Sequence, residues 1–134
     1  MKDATIEAGM EGISQHVTNT TWLCHALSKN AGWWTDPDTG NDIDPNPTFP
    51  VKLCLIHSEI SEAMEGHRKG LKDDHLPHRD MAEVELADAL IRIHDLAGAM
   101  GYDLGGAVTE KLAYNQQRAD HKLANRAGNN GKKY

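Results

Sequence analysis

Apolar residues recur at helical spacing in four stretches of the chain, and nowhere do they alternate as a half-buried strand would. The first stretch carries Ile13, Val17, Cys24 and Leu27 on one face, with Leu23 and Ala26 beside them, and predicts a helix over about 12–30 that Gly32 stops. A second helix is predicted over 50–69, opened by Pro50 at a permitted first-turn position and closed by Gly70. Asp80 with Glu83 three residues on resembles a capping box, and opens a third helix over 80–100 with Gly101 behind it. Asp103 can cap a fourth over 103–120, whose first turn Gly105 and Gly106 soften by roughly 1 kcal/mol each relative to Ala. Between the first two helices, TDPDTGNDIDPNPTFP concentrates proline and aspartate, which predicts a loop over 35–50 serving as a functional flap or a spacer. The residues before Gly12 show weak periodicity, and the polar, Gly-rich tail 121–134 has no apolar face to bury. The pattern as a whole predicts one all-α domain over 1–134, a four-helix bundle with a long first connection.

Two acid pairs sit where this pattern expects apolar residues. On the 50–69 wheel, Glu59 and Glu62 fall inside the arc defined by Leu55, Ile56, Ile60 and Ala63, whereas Glu65 falls on the polar side. The 80–100 wheel is apolar over most of its circumference, which predicts a nearly buried helix, and its narrow polar stripe is Glu85, Asp88, Arg92 and Asp95. Each pair is spaced i, i+3, so its carboxyl groups lie on adjacent turns of one face. Buried acids on neighbouring helices repel one another and are disfavoured as anions by desolvation. A hard divalent cation removes that conflict: carboxylate oxygens suit Mg²⁺ or Mn²⁺, and the lack of Cys or His in the set argues against zinc. Two other readings stay open, namely solvated helix faces and ion pairs in which Arg92 and Lys52 neutralise the acids without metal.

The fourth helix adds charge of the other sign. Lys111, Asn115 and Arg118 share one face at i, i+4 and i+7 and can hold phosphate oxygens, although a basic last turn also complements the helix dipole. Lys52, on the same side as Glu59, can point at a phosphate or into solvent. The 134 residues carry a net charge of -6, which leaves no broad cationic surface for polymeric nucleic acid or an anionic membrane. The acidic N-terminus and the absence of a long apolar run lead us to expect a soluble, cytoplasmic protein. Cys24 and Cys54 lie in apolar helical patterns and read as reduced core residues.

The ordered set Glu59-x-x-Glu62, Glu85-x-x-Asp88 and Lys111-x-x-x-Asn115-x-x-Arg118 resembles the MazG-like all-α nucleoside triphosphate pyrophosphohydrolases, over about Lys52 to Arg118. The strings LIHSEISEAMEGHRKG and ELADALIRIHDLAGAMGYDL are similar to those of small bacterial and phage members. The resemblance implies cleavage of a (d)NTP between its α and β phosphorus atoms to the monophosphate and pyrophosphate, a nucleotide-pool house-cleaning reaction. It further implies Mg²⁺ held by Glu59, Glu62, Glu85 and Asp88, with one of the two glutamates of the 50–69 helix orienting the attacking water. Lys111, Asn115 and Arg118 resemble the family's phosphate and sugar contacts, and a homodimer or homotetramer is implied, with the core completed by a second chain. The long loop and the first helix match no family pattern residue by residue. The alternative is a non-enzymatic helical oligomerisation or regulatory module with an acidic interaction face.

Several weaker signals point elsewhere. Trp33 and Trp34 can stack on a nucleobase or anchor the end of the first helix in a core or dimer interface. The aspartates of 36–44 lack the glycine and closing glutamate of an EF-hand. His94 projects into the apolar arc as a core histidine, His75 and His78 flank Pro77 in a solvated connection, and no E-x-x-H supports a di-iron site.

Overall fold

In a computed structural model of the protein, residues 4–134 are described, and among them the regular structure is entirely helical. The helices are α1 (Ala4–Met10), α2 (Ile13–Asn30), α3 (Pro45–Lys69), α4 (Met81–Met100), α5 (Leu104–Gln117) and α6 (Leu123–Ala127), with a 3₁₀ turn at Ala119–His121. The chain is thus all-α, and among the described residues no helix is long and apolar enough to cross a membrane.

Two departures from the sequence pattern have local causes. Helix α3 starts at Pro45 rather than Pro50, because Asp44 caps it by accepting the Asn46 N–H, and a proline in the first turn leaves no intrahelical hydrogen bond unmade. The loop before it therefore ends at Asp44 and is folded on itself: the Asp36 carboxylate accepts the N–H groups of Asp38 and Thr39, and the Ile43 N–H donates to the Trp34 carbonyl. At the other end of the chain, the 3₁₀ turn replaces the last residues of the helix expected over 103–120, and the tail over 121–134 contains α6, tied down by Asn125 donating to the Ala119 carbonyl. A short helix α1 also occupies residues for which periodicity gave no signal.

The α4 cap differs as well. Asp80 occupies the N-cap position, but its carboxylate pairs with Lys72 and makes no cap hydrogen bond, while Glu83 pairs with Arg79. The expected capping box is absent because each acid finds a cation first. Gly70 and Gly101 end α3 and α4 in the left-handed conformation, as the pattern predicts.

The described residues form two compact units, with the boundary inside α2 after Thr18. The smaller unit combines α1, the start of α2 and the chain from Asp103 onward; in it the buried Gly105 lies against the Ser14 carbonyl, where a Cβ would approach to 2.3 Å. The larger unit, Asn19–Tyr102, holds both acid pairs and is built on the α3–α4 pair. These two helices run antiparallel, since Gly66 near the end of α3 meets Met81 at the start of α4 while Glu59 meets Arg92 midway along both. Their seam buries the small residues Ala63 and Ala89, with Leu96 and Ala97 toward the end of α4. Helix α2 joins α4 through a buried hydrogen bond between Thr21 Oγ1 and His94 Nδ1, 2.8 Å long; burial pushes the His94 imidazole below its usual pKa and keeps it the satisfied core histidine that the pattern suggests.

The remaining flank of this pair is uncovered. Leu86, Leu90 and Ile93 on α4, with Leu53, Ile60 and Met64 on α3, are all exposed, Leu90 to 55%. The expected near-complete burial of the 80–100 helix is therefore not met within the unit: α3 and α2 cover part of its circumference, and the rest of its apolar arc has no partner there. Cys54 is likewise exposed rather than in the core, whereas Cys24 is half-buried, with burial and the nearby Asp95 charge raising its thiol pKa.

The closest approach in the larger unit is at Gly98, where a Cβ would lie 2.6 Å from the His25 Cβ, an atom fixed to its backbone. Glycine to alanine inside a helix ordinarily gains about 1 kcal/mol. At this position Gly98→Ala should instead lose about 1–3 kcal/mol through overpacking, read as a lower urea midpoint; an unchanged or raised midpoint would contradict the α2–α4 packing described.

Candidate metal centre

The helical register of α3 turns Glu59 directly into the α4 seam. Glu59 is only 6% exposed, and Arg92 Nε donates to its Oε1 at 2.6 Å. On α4, Glu85 and Asp88 occupy adjacent turns facing the same point, and one carboxylate oxygen from each of Glu59, Glu85 and Asp88 lies within 4.8 Å of the others. Glu62, one turn along from Glu59, is exposed; it stands within hydrogen-bonding reach of Glu59 but outside that three-residue set.

This crowding is visible in the protonation of the group. Burial pushes the Glu85 carboxyl up, the hydrogen bond with Glu59 and the charges of Glu62, Glu59 and Asp88 push it further, and its pKa reaches about 7. Hydrogen bonding to Glu59 and partial burial raise Glu62, while burial and the Glu59 charge raise Asp88. Glu59 is the exception. Burial would raise it most, but the hydrogen bonds to Arg92, Glu62 and Glu85 together outweigh burial and hold it below the usual range. One buried anion is thus kept charged by an arginine while its neighbours share the resulting repulsion.

The donor set suits a hard cation. In an octahedral Mg²⁺ shell at about 2.0–2.1 Å, neighbouring oxygens lie roughly 2.9 Å apart and opposite ones roughly 4.2 Å, so an array within 4.8 Å has to contract by side-chain rotation to close on an ion. Glu59, Glu85 and Asp88 are the residues that could hold one.

Beside the acids, a cleft of about 780 Å³ opens between α2, α3 and α4. Its apolar walls include Leu23, Leu27, Leu55 and Ile91, and Asp88, Arg92 and Asp95 form a polar stripe along α4. Asp95, which the sequence pattern places on the polar stripe without a role, is a junction: its carboxylate accepts from His25 Nδ1, Ser28 Oγ and Trp34 Nε1, each at 2.8 Å. The three donors come from α2 and the residues after it, so only tertiary structure reveals the convergence. Arg92 was legible as a cation on the acid stripe, but its choice of Glu59 over Asp88 was not.

The other predicted contacts divide between the units. Lys52 borders the cleft, its ammonium 4.4 Å from the centre of the Trp34 ring. Trp34 is 4% exposed with its N–H committed to Asp95, whereas Trp33, 70% exposed on the cleft wall, presents an open ring. Lys111 and Asn115 lie on α5 in the smaller unit; the Lys111 ammonium stands 4.7 Å over the Tyr114 ring, and the Asn115 amide oxygen is buried without a hydrogen-bond partner. Arg118 leaves the helix in an extended conformation and forms a two-point pair with Asp120. The single face expected for Lys111, Asn115 and Arg118 therefore ends at Asn115, because α5 stops at Gln117.

Comparisons of the chain with protein-family models, with curated proteins and with solved structures find no match.

Between pH 4.5 and about 7, folded Glu85 retains a proton that the unfolded chain has lost, so its contribution to stability falls as pH rises through that window. Glu62 and Asp88 act in the same sense, while the Glu59 contribution is instead lost as pH falls through its lowered value. Without divalent ions, unfolding free energy from urea titration should drop on the order of 1–3 kcal/mol from pH 5.5 to pH 8 through Glu85, and Glu85→Gln should flatten the profile. A wild-type profile that rises over that range would contradict the crowding of these carboxylates.

Proposed function

We propose that the chain is a Mg²⁺-dependent nucleoside triphosphate pyrophosphohydrolase, converting a (d)NTP and water to the monophosphate and pyrophosphate. The observation that carries this reading is the convergence of Glu59, Glu85 and Asp88 oxygens within 4.8 Å on two packed helices, three of the four acids of the MazG-like motif. In this reading the divalent ion, with Mn²⁺ as a substitute, supplies charge neutralisation and Lewis acidity to a substrate that carries about four negative charges.

The chain's own residues have separable roles. Glu59, Glu85 and Asp88 hold the ion. Glu62, exposed and raised in pKa by Glu59, orients the attacking water and takes its proton as the new oxygen bond forms to the α phosphorus and the bond to the departing pyrophosphate breaks. The cleft beside Asp88 receives the nucleoside, with Trp33 as an aromatic wall, Trp34 as the support beneath Lys52, and Lys52 near the phosphates. Lys111, Asn115 and Arg118 remain the family-type phosphate and sugar contacts; Arg118 has to leave Asp120 to serve. The exposed stripe of Leu86, Leu90 and Ile93 with Leu53, Ile60 and Met64 suits a second copy of the chain, which would complete a four-helix MazG-like core in a cytoplasmic homodimer or homotetramer.

Two experiments test the reading. Incubation with each NTP and dNTP plus Mg²⁺ should release pyrophosphate, and Glu62→Gln should lower the rate by about 10²–10⁴-fold with its fold retained. Release of orthophosphate, or equal rates in the two proteins, would break the assignment. Leu90→Glu should shift the sedimenting species from oligomer to monomer; a wild-type monomer would remove the second copy from the account.

A further inference from the structure

Arg92 stands at the junction of the acids and the cleft. Its Nε is bound to buried Glu59, the side chain is 43% exposed, and it also borders the cleft with Asp88, Lys52 and Asp95. Among the described residues, Nε is the atom through which Arg92 hydrogen-bonds, so the paired terminal nitrogens keep their outward edge for another acceptor. Lys52, the other cation on this cleft, is by contrast stacked on a Trp34 ring that Asp95 pins in place.

A buried carboxylate without a counter-charge costs several kcal/mol, and Arg92 supplies that charge in the metal-free chain. It holds one oxygen, Oε1, of the carboxylate that the proposed ion would share, so the guanidinium and a divalent cation compete for one carboxylate, and their like charges repel at this range. We infer that Arg92 serves two partners in turn: Glu59 when the metal centre is empty, and the phosphate oxygens of the ligand in the cleft once a divalent ion takes Glu59. The planar fork fits two phosphate oxygens at once, which an ammonium does not, and the exposed head can swing on its stem without unpacking α4. Arg92 is thereby a substrate-binding residue released by metal, and metal and anion each tighten the binding of the other through it.

This inference rests on the proposed metal centre, and calorimetry separates the two. Mn²⁺ is titrated into the wild type, Arg92→Met and Arg92→Lys at pH 8, and inorganic pyrophosphate is then titrated into each protein at fixed Mn²⁺, with circular dichroism establishing equal helix content. Arg92→Met should bind Mn²⁺ alone several-fold more tightly than the wild type, because its internal competitor is gone. Both variants should bind pyrophosphate at least about tenfold more weakly, Arg92→Lys included, because a point charge does not replace the fork. If Arg92→Met does not fold, the pyrophosphate affinity of Arg92→Lys decides alone. Wild-type pyrophosphate affinity in Arg92→Lys, or Mn²⁺ binding no tighter in a folded Arg92→Met, overturns the role of Arg92 while leaving the metal centre standing. Absence of Mn²⁺ binding in the wild type removes the metal centre and this inference together.

Discussion

A buried carboxylate at Glu59 governs the larger unit, because everything that meets it on α4 is charged. Its 6% exposure removes the water that would ordinarily solvate an anion, so the α3–α4 seam has to provide compensation at that point. Arg92 does so from the next helix, yet Glu85 and Asp88 face the same place and bring repulsion back. Their raised pKa values follow from this arrangement. An apolar seam of similar volume would hold two helices together at least as well, so stability alone does not account for these acids.

The polar stripe Asp88, Arg92 and Asp95 extends this logic along α4 into the cleft. Asp95 gathers His25, Ser28 and Trp34 on one carboxylate, and so fixes the position of α2 and of the indole under Lys52 relative to the acids. The wall of the cleft and the metal centre are thus tied to a single helix face. On the opposite flank the same helix carries leucines and isoleucines that its own unit leaves exposed. One side of α4 carries charge and the other an uncovered apolar stripe.

Much of this was legible in the sequence, and for definable reasons. The helices over 13–30 and 81–100 follow from apolar periodicity and the Gly stops, and that over 104–117 from periodicity up to its last turn; Glu59 and Glu62 stand out because a 3.6-residue period sets them inside an apolar arc, and the structure buries Glu59 while leaving Glu62 exposed. Periodicity failed where proline dominated, since Pro45 and Pro47 are compatible with a first turn once Asp44 caps it, a fact local to three or four residues. It also failed where partners lie far apart in sequence. Neither the Thr21–His94 bond nor the convergence on Asp95 leaves a trace in spacing, because each joins residues about seventy apart. Burial of α4 was overestimated because an apolar arc in the sequence does not say how much of it the unit's own helices reach.

The central claim is that Glu59, Glu85 and Asp88 form a cation site. Anomalous scattering at the manganese edge, from crystals of the protein grown with Mn²⁺, tests it most directly. The account predicts a single strong peak bounded by those three carboxylates, with the Arg92 guanidinium turned away from Glu59. Density showing no ion there, with Arg92 still on Glu59 in millimolar Mn²⁺, would contradict it.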